Sequence, residues 1–128
     1  MSNKPNLIYA VLCEPGKWAH VTAINDTLAS LQQIVGGCIE AVYPFDDPVA
    51  IICNEEGKIN GLELNRALRD ECGNVYDILA GTFLIVGLGE EDFASLSIEY
   101  QEKYRKLFES PEIFLAVGGE ILAIPVDG

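Results

Sequence analysis

The hydrophobic and polar positions in the first third of the chain predict a β-hairpin followed by a helix. Residues 7–13 and 18–24 are apolar and β-prone, and a Pro-Gly turn signal lies between them. Residues 28–35 repeat their apolar side chains at helical spacing. Gly36 then offers the left-handed conformation that commonly ends a helix.

The centre of the chain predicts three strands and a short helix. The apolar runs 39–43 and 49–53 each have the length of a strand. Residues 63–70 are expected to form a helix, because two leucines and an alanine fall on one side of it. Residues 78–86 are apolar on both faces, which is typical of a central strand, although Gly81-Thr82 interrupts the run.

The last third predicts the longest helix and a closing hairpin. Apolar side chains recur at helical spacing over 91–109, with acids at the start and basic residues near the end. Residues 113–117 and 121–126 flank a Gly-Gly-Glu turn. The chain is therefore expected to form one α+β domain, residues 1–128. It would have an antiparallel or mixed sheet, two main helices and terminal β-hairpins.

Composition predicts a folded protein that does not enter a membrane. Of the 128 residues, 49% are hydrophobic and 22% are charged, so the chain can bury a core. No apolar run approaches the roughly 20 residues that cross a bilayer. The N-terminus lacks the apolar segment of a signal peptide. We therefore expect a cytoplasmic protein.

The charge balance excludes one large class of partner. The chain has 20 acidic and 8 basic residues, which gives a formal net charge of −12. Direct binding of nucleic acid needs clustered Lys and Arg to neutralise phosphates, so it is not expected. The acidic surface either keeps the protein soluble or imitates a phosphate backbone.

No pattern of catalytic or metal-binding residues is present, so we expect neither an enzyme nor a cofactor. The four cysteines form no Cys-x-x-Cys pair, and His20 is the only histidine, which makes a zinc site improbable. Cys13 and Cys53 end apolar strands and are expected to be buried and reduced. The segment 87–89 lacks the third glycine of a dinucleotide-binding loop, and Asp46-Asp47 lacks the ligand ladder of a calcium loop.

The segment 54–69 is the candidate site for a small anionic ligand. It concentrates three of the eight basic residues. Arginine can bind a phosphate through two hydrogen bonds, and asparagine amides can recognise a base or a ribose. Alternatively, the asparagines mark turns and the arginines pair with neighbouring acids. The candidate ligand-binding residues are Asn54, Lys58, Asn65, Arg66, Arg69, Tyr43 and Phe83, with Trp18 as a further aromatic side chain that can stack on a base.

Three stretches carry a resemblance to a known family. They read LQQIVGGCIEAV at 31–42, NEEGKINGLELN at 54–65 and GTFLIVG at 81–87. Together they resemble a family of small domains of unknown function carried by tailed phages and bacterial mobile elements. The resemblance implies a gene of that setting and a place in the host bacterial cytoplasm.

Three functions fit this sequence. The first is a counter-defence protein that sequesters a small anionic molecule, plausibly a nucleotide immune signal. The second is a phosphate-mimicking inhibitor of a host defence protein that binds nucleic acid. The third is an accessory or assembly protein without a ligand. A basic pocket would favour the first, and acidic rows on a flat face the second. We also expect a homo-oligomer, because residues 113–126 are almost uniformly apolar.

Overall fold

A computed structural model of the protein describes residues 6–90 and 92–126. Its main sheet has six strands, and every neighbouring pair runs antiparallel. In chain order the elements are β1 (Leu7–Cys13), β2 (His20–Asn25), α1 (Leu28–Val35), β3 (Ile39–Val42), β4 (Val49–Asn54), β5 (Leu64–Arg69), β6 (Val75–Ala80), β7 (Phe83–Leu88), β8 (Phe93–Ala94), α2 (Ile98–Leu107), β9 (Glu112–Val117) and β10 (Glu120–Pro125). The main sheet has the order β2-β1-β7-β4-β3, with β8 paired to β7.

Strict alternation of side chains gives the main sheet two apolar faces. In β4, Ile51 and Cys53 lie on one face, while Ala50 and Ile52 lie on the other. One face packs against α1 through Leu31 and Val35. The opposite face packs against α2 and against a separate two-stranded sheet of β5 and β6. The central strands are therefore buried on both sides, as their sequences predict.

The predicted α+β fold and both terminal hairpins are confirmed. β1 pairs with β2, and β9 pairs with β10 through a tight turn at Gly118 and Gly119. Both glycines have positive φ angles, 58° and 83°, which a two-residue hairpin turn of this kind requires. The helix predicted over 28–35 is also present, and Gly36 ends it in the left-handed conformation.

The helix predicted over 63–70 is wrong, because this segment forms strand β5. It pairs antiparallel with β6. Four consecutive residues, 65–68, are buried. The sheet buries both sides of this segment, whereas a surface helix would bury only one, and this burial overrides the helix propensity of its Leu, Arg and Ala residues.

Two other predicted elements are corrected. The single strand predicted over 78–86 is two strands in different sheets, because Gly81 turns the chain with a φ of 79°. The helix predicted over 91–109 is shorter and spans Ile98–Leu107. Phe93 and Ala94 instead extend the main sheet as β8, and Ser97 caps the helix through its hydroxyl oxygen. Residue 91, where the predicted helix begins, lies outside the described residues.

Neither helix among residues 6–90 and 92–126 combines the length and the hydrophobicity that crossing a bilayer would require.

Two of the four free thiols are buried and two are exposed. Cys13 and Cys53 are buried, and burial raises the pKa of the Cys13 thiol to about 12 and that of Cys53 to about 11. Cys38 and Cys72 are exposed.

Because the thiolate is the reactive form, brief alkylation of the native protein at pH 8 should label Cys38 and Cys72 only. Mass spectrometry of the digested protein checks this. Equal labelling of Cys13 in the native state would contradict the packing, and denatured protein should label at all four.

Candidate functional site

Arg66, a predicted ligand-binding residue, lies in the interior with 0% of its surface exposed. Its Nε donates to the carbonyl of Phe108 at 3.1 Å, and its Nη2 donates to the carbonyl of Lys17 at 2.6 Å. Nη1 donates to Oδ1 of Asn65 at 2.7 Å. All of these acceptors are neutral oxygens. Because Phe108 caps the C-terminal end of α2, the negative end of the helix dipole faces the guanidinium.

Asn65, which accepts from Arg66, is also buried. Its Nδ2 donates to the carbonyls of Cys13 and Gly81 at 2.9 and 2.8 Å. The pairing of β5 with β6 shifts register between Leu64 and Arg66, which leaves Asn65 without a partner residue. A register shift of this kind re-aims a side chain, and here it allows two consecutive polar residues to point inward. We call Asn65 and Arg66 the buried polar pair.

Two more predicted residues belong to the framework. Asn54 is 8% exposed, donates to the carbonyl of Val35 at 3.2 Å and accepts from the amide of Glu56 at 2.8 Å. It therefore ties the end of β4 to the end of α1. Phe83 is fully buried and meets Phe108 edge to face, with ring centroids 5.3 Å apart. Phe83 is closed to a ligand in this structure, whereas Asn54 borders a small cleft of about 250 Å³ that Lys58 also lines.

The remaining three predicted residues lie on the surface, in different places. Lys58 pairs with Asp77. Arg69 donates to Oε1 of Glu112 at 2.6 Å and to the carbonyl of Ala123 at 3.2 Å. Tyr43 is 61% exposed and lines a different cleft from the one that Arg69 lines. The seven predicted residues therefore do not converge on a single site, and binding of a ligand by Lys58, Arg69 or Tyr43 stays a prediction.

A cleft of about 800 Å³ lies between the 44–47 loop, α2 and the edge of the β5–β6 sheet. At its wall, Oδ2 of Asp47 accepts from Lys103 and from the hydroxyl of Tyr104, the latter at 2.6 Å. These hydrogen bonds hold the pKa of Asp47 below its usual range. Burial, followed by the bond to Asp47, raises the pKa of Tyr104. We call this cleft the α2 cleft.

No sequence pattern indicates the α2 cleft, since Asp47 is considered only as part of a calcium loop and Tyr104 falls within the apolar helical pattern over 91–109. The two residues are separated by 57 positions, and no local pattern links them. The cleft also contains Arg69, Asp46, Asp70 and Glu71, so acids outnumber bases along its lining. It is therefore not the basic pocket that capture of an anion would favour.

Metal binding has no evident location in the described part of the chain. Among residues 6–90 and 92–126, no group of three or more His, Cys, Asp or Glu side chains is arranged to hold an ion.

A family model described as "Domain of unknown function (DUF3846)" matches residues 8–109. The chain belongs to this family. The matched stretch begins in β1 and ends just after α2, so it includes the main sheet, both helices and the β5–β6 sheet, but not the β9–β10 hairpin. No curated protein and no solved structure matches the chain.

The geometry of the buried polar pair predicts a large stability effect. Replacing Arg66 with Met should lower the free energy of unfolding by about 3 kcal/mol or more, because it leaves buried carbonyls without donors. Arg66→Lys should also destabilise, because lysine lacks the planar fork that reaches three acceptors at once. Urea denaturation followed by far-UV circular dichroism measures both.

Arg105 provides the matched control. It lies on the exposed side of α2 and pairs with Glu102 at 2.8 Å. Replacing it with Met removes the same charge but should cost only about 1 kcal/mol or less. Similar losses for Arg66→Met and Arg105→Met would mean that the buried polar pair does not organise the fold.

Proposed function

We propose that this chain is a non-enzymatic accessory protein of a phage or mobile genetic element, and that it inhibits a basic, nucleic-acid-binding host defence protein. In this proposal its acidic surface occupies the site that a phosphate backbone would take. The observation that carries the proposal is the distribution of charge. The described basic groups already have acceptors within the same chain, while carboxylates dominate the surface.

The described basic residues are already engaged within the chain. Lys4 lies outside the described residues, which leaves seven of the eight Lys and Arg. Arg66 donates to carbonyls in the interior. The other six form ion pairs, namely Lys17 with Glu14, Lys58 with Asp77, Arg69 with Glu112, Lys103 with Asp47, Arg105 with Glu102 and Glu109, and Lys106 with Glu102. An anionic ligand would therefore compete with a carboxylate of the same chain for each of these six cations.

Carboxylates outside these ion pairs are numerous and exposed. They include Glu55 and Glu56 after β4 and Asp46 and Glu71 at the rim of the α2 cleft. A net charge of −12 on a chain of this size produces a strong negative field, which accelerates association with a basic partner. The same field repels nucleotides and nucleic acids. These observations support the mimic more than the capture of a small anion.

Capture of a small anionic molecule, such as a nucleotide, is the second candidate function. The α2 cleft has a volume of about 800 Å³, within the range of small-molecule sites. It contains Arg69 and Lys103, and Tyr76, which is 56% exposed, offers aromatic surface to a base. Against this, each of the two cations is already bound by a carboxylate.

The two candidates predict different results in binding assays. The mimic should inhibit DNA binding by at least one member of a panel of purified bacterial restriction and other defence nucleases, and added DNA should relieve the inhibition. Raising NaCl from 50 to 200 mM should weaken the complex roughly tenfold or more, since phosphate-like contacts depend on salt. Inhibition of no nuclease, or inhibition that is independent of salt, would contradict the mimic.

A thermal-shift screen against cyclic and ADP-ribose-type nucleotides tests the second candidate, and the mimic predicts no shift. If a nucleotide raises the melting temperature of wild type, Arg69→Ala and Lys103→Ala should each reduce affinity about ten- to a hundredfold. Lys106→Ala removes a cation outside the cleft lining and is the control. A shift that both cleft variants lose and the control keeps would replace the mimic with nucleotide capture.

A further inference from the structure

The β9–β10 hairpin presents a mainly aliphatic face to solvent, with Glu120 at the turn end of that face. The register pairs Ile113 with Ile124 and Leu115 with Leu122, and residues directly opposite each other share a face of the sheet. Val117 continues the same face by alternation. We call these five residues the apolar strip. Their exposed fractions are 52% for Ile113, 45% for Leu115, 55% for Val117, 45% for Leu122 and 44% for Ile124.

The opposite face of the hairpin is anchored to the rest of the chain. Glu112 accepts from Arg69 and from the amide of Ala67, the latter at 3.1 Å. Phe114 and Ala123, which pair across this second face, are partly buried. The hairpin is therefore held in place by β5 while the apolar strip is left open. A contiguous patch of this kind in a soluble protein marks an interaction surface.

We propose that the apolar strip is the contact between two copies of this chain. Two copies that each carry a net charge of −12 repel one another over most of their surfaces. The apolar strip itself carries no charge, so two strips can meet without bringing like charges together. A basic partner, by contrast, could form an ion pair at this face only at its turn end, with Glu120.

A two-fold arrangement also keeps the nearest acids apart. When two hairpins pack face to face with strands antiparallel, the turn of one lies over the base of the other. Glu120 lies beside the turn, opposite Val117. Because a six-residue strand is about 20 Å long, the two Glu120 carboxylates would be separated by more than the Debye length of about 8 Å.

Face packing fits this hairpin better than pairing through the edge of β10. Pro125 has no amide hydrogen to donate to a neighbouring strand. The carbonyl of Ala123 already accepts from Arg69 at 3.2 Å. Both features protect an edge strand from further pairing. They leave the apolar face as the open surface of the hairpin.

The size of the apolar strip sets the expected strength of the dimer. Five half-exposed aliphatic side chains form a patch on the order of 400 Å². A standard interface buries about 800 Å² on each partner, so the strip supplies roughly half of it. The dimer should therefore dissociate in the micromolar range. The hairpin lies outside the stretch that matches the family model, residues 8–109.

Light scattering coupled to size exclusion, over about 1 to 200 µM protein, tests this proposal. Wild type should pass from monomer to dimer across this range, and 0.5 M NaCl should strengthen the dimer by screening repulsion. Leu122→Glu should remain a monomer throughout. Ile59→Glu adds the same charge at a side chain that is 85% exposed and outside the strip, and it should dimerise with an affinity close to that of wild type.

Circular dichroism spectra and melting temperatures of wild type and of each variant show whether the protein is folded. Leu122→Thr, which keeps a strand-forming residue and adds no charge, should weaken the dimer at least tenfold. A wild type that stays monomeric at 200 µM would overturn the proposal. A higher oligomer, or a dimer that Leu122→Glu leaves intact, would equally overturn it.

Discussion

The fold depends on one buried cation without a carboxylate partner among the residues the structure describes. Arg66 joins the turn after β1, through Lys17, to the end of α2, through Phe108. Burial lowers the pKa of its guanidinium, yet arginine stays charged in proteins. Carbonyl dipoles and the C-terminal end of a helix must therefore stabilise the buried charge in place of water. The hydrogen bonds of Arg66 hold together three segments that are distant in sequence, namely the turn after β1, strand β5 and the end of α2.

The same arrangement explains how the molecule divides its charge. In the interior, Arg66 joins separate segments through hydrogen bonds. The other described basic residues form ion pairs with acids. The solvent-facing surface carries an excess of carboxylates and, on the β9–β10 hairpin, the apolar strip. We propose the first surface for a basic partner and the second for an identical copy.

The sequence predicts the parts of this fold that rest on local patterns. The length of the apolar runs identified the strands around Ile51, and glycine marked the end of α1. The prediction was wrong at β5, because leucine and alanine at helical spacing indicated a helix where the chain forms a strand with a register shift at Asn65. Arg66 attracted attention as a rare cation, but its acceptors are main-chain carbonyls, and these carry no sequence signal. The α2 cleft was missed for a similar reason, since its walls come from distant segments.

Hydrogen–deuterium exchange on wild type and Arg66→Lys tests most directly whether the buried guanidinium joins these segments. If it does, amides in residues 14–19, 64–69 and 104–111 should exchange faster together in the variant, by a similar factor. Those of α1, on the far face of the main sheet, should keep their protection. Faster exchange confined to β5, or equal acceleration throughout the molecule, would contradict the account.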